Sequence, residues 1–173
     1  MKTFLRILLS VVAIIVIVGI VVYADGSSLP VDHTTTVTGT VPAPPEAVFA
    51  RITDIAHGAS WRPAVKTVTV LPQDGGRDHW VEDLGHGQTM TFLATRTDAP
   101  ARREVLLDVP GAAYGGTWTY VVSPGPTAGT TTLSITEAGF IHPPIYRFMM
   151  HHVLGMSYNL NQYLKDINAS FKS

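Results

Sequence analysis

The chain has 173 residues, with 12 lysines and arginines against 13 aspartates and glutamates, a net charge of −1. That length accommodates one domain with a real core, and the balance, more acidic once Lys2 and Arg6 are set aside, gives no reason to expect nucleic acid as a partner. There is no cysteine, which excludes disulfides, thiolate catalysis and cysteine-ligated metal.

Lys2 and Arg6 open the chain, and Ile7 to Tyr23 follows without a charge. As a helix, Phe4 to Ala24 is roughly 30 Å long, enough to cross a bilayer. Because the run is apolar all round, it reads as a membrane segment and not as a buried core helix. Positive charges before it and Asp25 after it predict a cytoplasmic N-terminus with the rest of the chain outside. A cleaved signal peptide is the rival reading, since Val22-Tyr23-Ala24 precedes Asp25 with tolerated residues. Its apolar region is long for that class, whose core is about 7–15 residues. Residues 1–24 are therefore read as anchor or signal, 25–32 as a polar linker, and 33–173 as an exported domain.

His33–Val41, rich in threonine and valine, predicts a first strand with Val37 and Val41 on one face. Ala43-Pro44-Pro45-Glu46 starts a short helix, with proline in the first turn and Val48, Phe49, Ile52 and Ile55 as its buried stripe. After Trp61-Arg62-Pro63 come six strand-like runs: Val65–Leu71, His79–Leu84, Gln88–Thr97, Arg102–Val109, Gly116–Ser123 and Thr130–Ala138. Glycine and proline turns separate them, and short connections favour antiparallel neighbours. Trp118, Tyr120 and Val122 alternate with Thr117 and Thr119, as Leu133 and Ile135 do with Thr132 and Ser134, which is the pattern of a sheet wet on one side. Pro143 to Phe171 then reads as one long amphipathic helix. Ile145, Met149, Val153, Met156, Leu160, Leu164, Ile167 and Phe171 form its stripe. Gly155 inside it marks a kink or a close approach, because a mid-helix glycine costs about 1 kcal/mol relative to alanine.

This order of strand, short helix, six strands and long helix resembles the helix-grip fold of the START-like superfamily, which includes the polyketide cyclase/dehydrase-like proteins and plant pollen allergens (SRPBCC). The wording agrees with the topology. Ala43-Pro44-Pro45-Glu46-Ala47-Val48-Phe49 with Ile52-Thr53-Asp54 is similar to the family's opening motif, and Trp61-Arg62-Pro63, Trp80-Val81-Glu82 and Glu137-Ala138-Gly139 also fit. The resemblance implies an α+β domain, a seven-stranded curved antiparallel sheet around a long C-terminal helix, enclosing a mostly apolar cavity. The N-terminal transmembrane helix is an addition to that pattern.

No catalytic constellation stands out, so the catalytic residues stay unknown, and no metal site or cofactor is expected. His151 and His152 are neighbours on a helix and cannot share a face. His152 could point into a cavity or sit at its boundary with one nitrogen wet. His142 is placed on an entry loop; His79 and His86 at a solvated hairpin; His33 and His57 in linker and helix-end positions. Glu82 shares a face with Trp80 and reads as a surface carboxylate that could approach the cavity. Glu137 reads as structural, fixing a bulge, and Arg62 as a structural ion-pair partner or a receiver of an anionic head group.

Large side chains carry the remaining signal. Trp61, Arg62, Trp80, Phe92, Trp118, Tyr120, Met149, His152 and Met156 are the candidate ligand-binding residues, with Phe148 and Met150 as further walls. The stretch Ile145–Met156 is the expected cavity lining, and Leu160–Phe171 ordinary core. The leading expectation is membrane-anchored, extracytoplasmic binding of a hydrophobic small molecule or lipid. Its alternatives are a cyclase or dehydratase acting in the same cavity and an anchored interaction domain without a ligand. Oligomeric state is not legible.

Overall fold

The computed structural model describes residues 2–107 and 111–172. Helix α1 spans Lys2–Ser28. It is long and apolar enough to cross a membrane, as an anchor or a signal sequence is, and its apolar side chains lie exposed. It also runs past the boundary expected at Ala24, for Asp25 to Ser28 are helical and not a linker. Two side chains sustain this last turn: Ser27 Oγ donates to the Tyr23 carbonyl and Ser28 Oγ to that of Asp25, each at 2.7 Å. Tertiary packing described below seats it.

Among the described residues seven strands follow, with one α-helix and a 3-10 turn (Gly58–Ser60) between the first two: β1 (Asp32–Val41), α2 (Pro45–Thr53), β2 (Thr67–Asp74), β3 (Arg77–Gly85), β4 (Gln88–Asp98), β5 (Arg102–Leu107), β6 (Tyr114–Pro124) and β7 (Thr131–Ile141). All neighbours are antiparallel, in the order β1-β7-β6-β5-β4-β3-β2. The meander β2 to β7 is thus closed at one edge by β1, and α2 packs on β6 and β7. The expected end of β5 at Val109 and Pro110 lies outside the described residues. Register shifts fall at Leu71/Asp74, Asp83/Gly85 and Ala94/Arg96, and bulges of this kind bend a strand and help a sheet to curve. The bulge expected at Glu137 is absent: β7 pairs with β6 without interruption from Thr131 to Ile141, straight through Gly139.

One face of the sheet is wet. Thr36 and Thr136 are hydrogen-bonded across β1 and β7 at 2.9 Å, and Thr38 donates to Ser134 at 3.1 Å. The other face carries Val122, Leu133 and Ile135, which meet Val41, Val48, Phe49, Leu160 and Ile167 in one core.

The single long helix expected over Pro143–Phe171 is instead two helices. Helix α3 (Pro144–Met149) continues into a π-helical turn at Met150–Leu154, and α4 (Tyr158–Ala169) follows after a break at Gly155. Gly155 has φ 88° and ψ 139°, a conformation that side-chain-bearing residues rarely hold. No neighbouring atom would touch a Cβ there, so the glycine answers to backbone conformation and not to crowding. The break lets each half choose its own partner. Helix α4 buries Leu160, Tyr163, Asp166 and Ile167 and packs on β1 and β7, while α3 packs chiefly on α1.

Candidate functional site

Between the inner face of the sheet and α4 lies a cavity of about 450 Å³. Strand alternation supplies its walls. Trp80, Glu82 and Leu84 project from β3; Met90 and Phe92 from β4; Arg103, Val105 and Leu107 from β5; Trp118 and Tyr120 from β6. Their registers make cross-strand pairs, with Trp80 opposite Phe92 and Tyr120 opposite Arg103. Trp80 and Phe92 stack, their ring centres 5.4 Å apart. From above, Tyr163 of α4 inserts among the aromatics, 5.2 Å from Tyr120, 5.3 Å edge-on to Trp61 and 6.0 Å from Trp118.

A buried ion pair sits within this apolar setting. Arg62 donates from Nη1 to Glu82 Oε2 at 3.0 Å and from Nη2 to Glu82 Oε1 at 2.6 Å. Glu82 Oε1 also accepts from Trp80 Nε1 at 3.0 Å, so the carboxylate is both paired and hydrogen-bonded, as burial demands. Burial works against the Arg62 charge, but the Glu82 carboxylate outweighs it and holds the guanidinium above its ordinary pKa. The guanidinium also stands over the rings of Trp61 (5.4 Å) and Tyr163 (5.9 Å). Arg103 is shut from solvent, pairs with Asp78 at 3.0 Å and lies 5.7 Å from the Trp80 ring.

The two buried tyrosines are held neutral. Burial pushes Tyr163 up to about 12, against the pull of Arg62. Burial, with the Tyr163 phenol beside it, lifts Tyr120 well above its usual value. Neutral phenols are hydrogen-bond donors and weak bases, so the two tyrosines can present O–H groups to an acceptor. A second polar end is formed by His33 and Glu137, whose Nε2 and Oε2 stand 3.9 Å apart. Burial raises the Glu137 pKa, opposed by the Trp118 indole and by His33. Among the described residues, no group of three or more potential ligating side chains is placed to hold a metal ion.

A family model described as "Polyketide cyclase / dehydrase and lipid transport" matches residues 32–156. The chain belongs to this family. Solved structures agree on the fold. The Zhui aromatase/cyclase from Streptomyces sp. R1128 is similar at 17% identity and TM-score 0.65, over 80% of this chain and 93% of that one. A START superfamily protein from Mycobacterium smegmatis is similar at 16% identity and TM-score 0.63, over 80% and 96%. A protein from Thermus thermophilus shares 20% identity at TM-score 0.61, over 82% and 100%. A comparison with curated proteins finds no match. The polyketide cyclase/dehydrase and lipid transport match ends beside Gly155, where the C-terminal segment breaks, so α4 lies beyond it.

Six of the nine candidate residues meet around this cavity: Trp61, Arg62, Trp80, Phe92, Trp118 and Tyr120. Met149, His152 and Met156 do not line it: Met149 and His152 hold exposed positions on α3 and the π turn, a stretch that packs chiefly on α1, and Met156 lies in the turn after Gly155. His152 pairs at the surface with Asp25, Nε2 to Oδ2, at 2.9 Å. Of the further walls, Met150 does line the cavity, while Phe148 lies tilted against His152, ring centres 4.8 Å apart. Glu82 is buried and not a surface carboxylate, and His33 faces the cavity and is not a linker residue. His79 is half-buried, its Nε2 shut away without a partner, and not solvated as the hairpin position suggested.

Tyr163, Arg103 and Glu137 were missed. Each had a signal. Leu160, Tyr163 and Ile167 satisfy the helical period as well as Leu160, Leu164 and Ile167 do, and Arg103 shares its strand phase with Val105 and Leu107. Glu137 shares its strand phase with Leu133 and Ile135, and the β6–β7 register sets it opposite Trp118.

Proposed function

We propose that the protein is a membrane-anchored, extracytoplasmic binder of a hydrophobic small molecule or lipid-like ligand. The observation that carries this reading is the cavity of about 450 Å³, a size within the range of ligand sites, walled mostly by apolar and aromatic side chains. Affinity comes from apolar burial, about 0.8 kcal/mol for each methylene removed from water. Trp61, Trp80, Phe92 and Trp118 form the apolar walls, and Arg62, Tyr120 and Tyr163 orient one polar group. Anchoring rests on α1, and the outward orientation on Lys2 and Arg6 before the span with Asp25 after it.

The test is native mass spectrometry, with lipid extraction, of the full chain purified from its host's membranes. An apolar molecule that co-purifies and is lost on Trp118→Asp substitution is expected. A chain that is empty in repeated preparations, and that fails to bind a fluorescent fatty acid, overturns the reading.

A second reading, a cyclase- or dehydratase-type enzyme on a polyketide-like substrate, is favoured by one observation. Arg62, Glu82, Tyr120 and Tyr163 converge on one buried spot. There the neutral phenols would donate to a substrate carbonyl and Arg62 would stabilise charge developing on it. Turnover of an aromatic polyketide surrogate, abolished in Tyr163→Phe with binding retained, would establish this reading over the first.

A further inference from the structure

We infer that the stretch from Ile145 to Tyr158, which runs from α3 through the π turn and the Gly155 break to the first residue of α4, is a membrane-resting surface that holds an opening of the cavity against the bilayer. This rests on the reading of α1 as a retained membrane anchor.

The first observation is where the apolar surface lies. Outside α1, nine large hydrophobic side chains are exposed among the described residues, and six fall in this one stretch: Ile145, Tyr146, Met149, Val153, Leu154 and Tyr158. They are between 38% and 59% exposed. The helical period that makes Ile145, Met149 and Val153 read as a core stripe is real, but the sheet does not cover these three. Exposed apolar groups gathered in this way mark a surface that meets a partner.

The second observation names the partner, because the same stretch is tied to the end of the transmembrane helix. Arg147 is buried and donates from Nε to the Gly26 carbonyl at 2.7 Å and from Nη1 to the Ile141 carbonyl at 3.1 Å. A Cβ on Gly26 would collide with the Pro144 carbonyl, so the two helices touch backbone to backbone. The Asp25–His152 pair adds a surface tie. Val22, Asp25, Gly26 and Leu29, spaced as one helical face, are the positions covered at this end of α1. Asp25 to Ser28 extend only about 6 Å beyond the last apolar residue. The polar interface of a bilayer is about 5–7 Å deep on each side. The apolar patch is therefore held at the depth where amphipathic segments bury their apolar faces, and where tyrosine rings collect.

The third observation concerns the cavity. Tyr114 and Tyr146 both line it and are exposed, and Met150 of the π turn also lines it. One opening of the cavity thus lies beside the patch, and an apolar ligand using it would pass between the acyl chains and the protein without crossing water.

The chain has no cysteine, so single thiols can be placed at will. Met149→Cys, Val153→Cys, Tyr146→Cys and, on the opposite edge strand, Gln73→Cys would each carry an environment-sensitive fluorophore in the full chain, reconstituted in zwitterionic phosphatidylcholine nanodiscs. We expect blue-shifted emission at 146, 149 and 153, quenched several-fold more by brominated lipid than at 73. Emission at 149 and 153 as wet as at 73, with the chain still resisting alkaline extraction from its host membrane, overturns this inference and leaves the anchor reading standing. Loss of the chain on extraction overturns both. A wet label at 146 beside quenched labels at 149 and 153 overturns the loading route alone. Unchanged melting of each labelled variant separates these outcomes from misfolding.

Discussion

Helix α4 and the α3–π segment lie side by side in the sequence, share one apolar periodicity, and do opposite things. Helix α4 lays Leu160, Tyr163 and Ile167 on the sheet and roofs the cavity. The α3–π segment fully buries only Arg147, leaves Ile145, Met149, Val153 and Leu154 exposed while Met150 lines the cavity, and packs chiefly on α1. An apolar stripe states that a helix face avoids water; it does not state which surface will cover it. Here the partner changes at Gly155, where the backbone conformation ends one helical direction and frees the next.

The contrast can be broken most forcefully beneath α4. Glu82→Ala would leave Arg62 buried without its carboxylate, under the ring of Tyr163, and should cost about 3–5 kcal/mol in denaturant unfolding. A loss below 1 kcal/mol would mean that water satisfies Arg62 and that α4 is not seated on this pair. Leu160→Ala, at a position with no exposure, should cost about 2–5 kcal/mol through lost transfer and the cavity left behind. The same truncation in the outward stretch supplies the other limit. Val153→Ala should change detergent-solubilised stability by no more than about 0.5 kcal/mol, making it the smallest effect of the set.

Two effects fall between these limits. Gly155→Ala should cost about 1–3 kcal/mol, all of it backbone strain because no atom crowds the new methyl group. A stabilised variant with higher helix content by circular dichroism would show that the break is optional and that the two halves can fuse. The alkaline limb is gentler. Tyr163 is an acid raised to about 12 in the folded chain, against about 10 when unfolded, and Tyr120 is raised too. Their stabilisation is complete below pH about 10 and is lost as pH rises through the folded values, because the unfolded chain gives up the proton first. Melting temperature should fall over that window, and Tyr163→Phe should flatten the fall. An unchanged slope would place the Tyr163 hydroxyl in water.

Much of the fold is legible in the residues. Threonine–valine alternation, glycine and proline turns, and the proline-opened α2 predict all seven strands, and short connections predict the antiparallel pairing of β2 to β7 in succession, whereas the pairing of β1 with β7 is not local. Six of the nine candidate residues reach the cavity because strand alternation and large aromatic side chains project predictably. The failures have a different origin. Met149, His152 and Met156 were placed by extending one helical phase across Gly155, and a break in the backbone resets that phase. Glu82 was read as solvated because a lone carboxylate is costly to bury; its burial depends on Arg62 and Trp80, 20 and 2 positions away along the chain.

By itself, the sequence determined what local periodicity encodes: an apolar helix able to span a membrane, a one-sided sheet, and an apolar C-terminal stripe. Tertiary structure alone decided how charges pair and which surfaces face each other. It brought Arg62 to Glu82 and Tyr163 into the aromatic cluster, and it turned α3 from the sheet to α1. The reason is physical. Hydrophobic burial is non-directional and leaves the partner of a face unspecified, whereas a buried charge or a backbone contact such as Gly26 against Pro144 is satisfied only at one relative placement of distant segments.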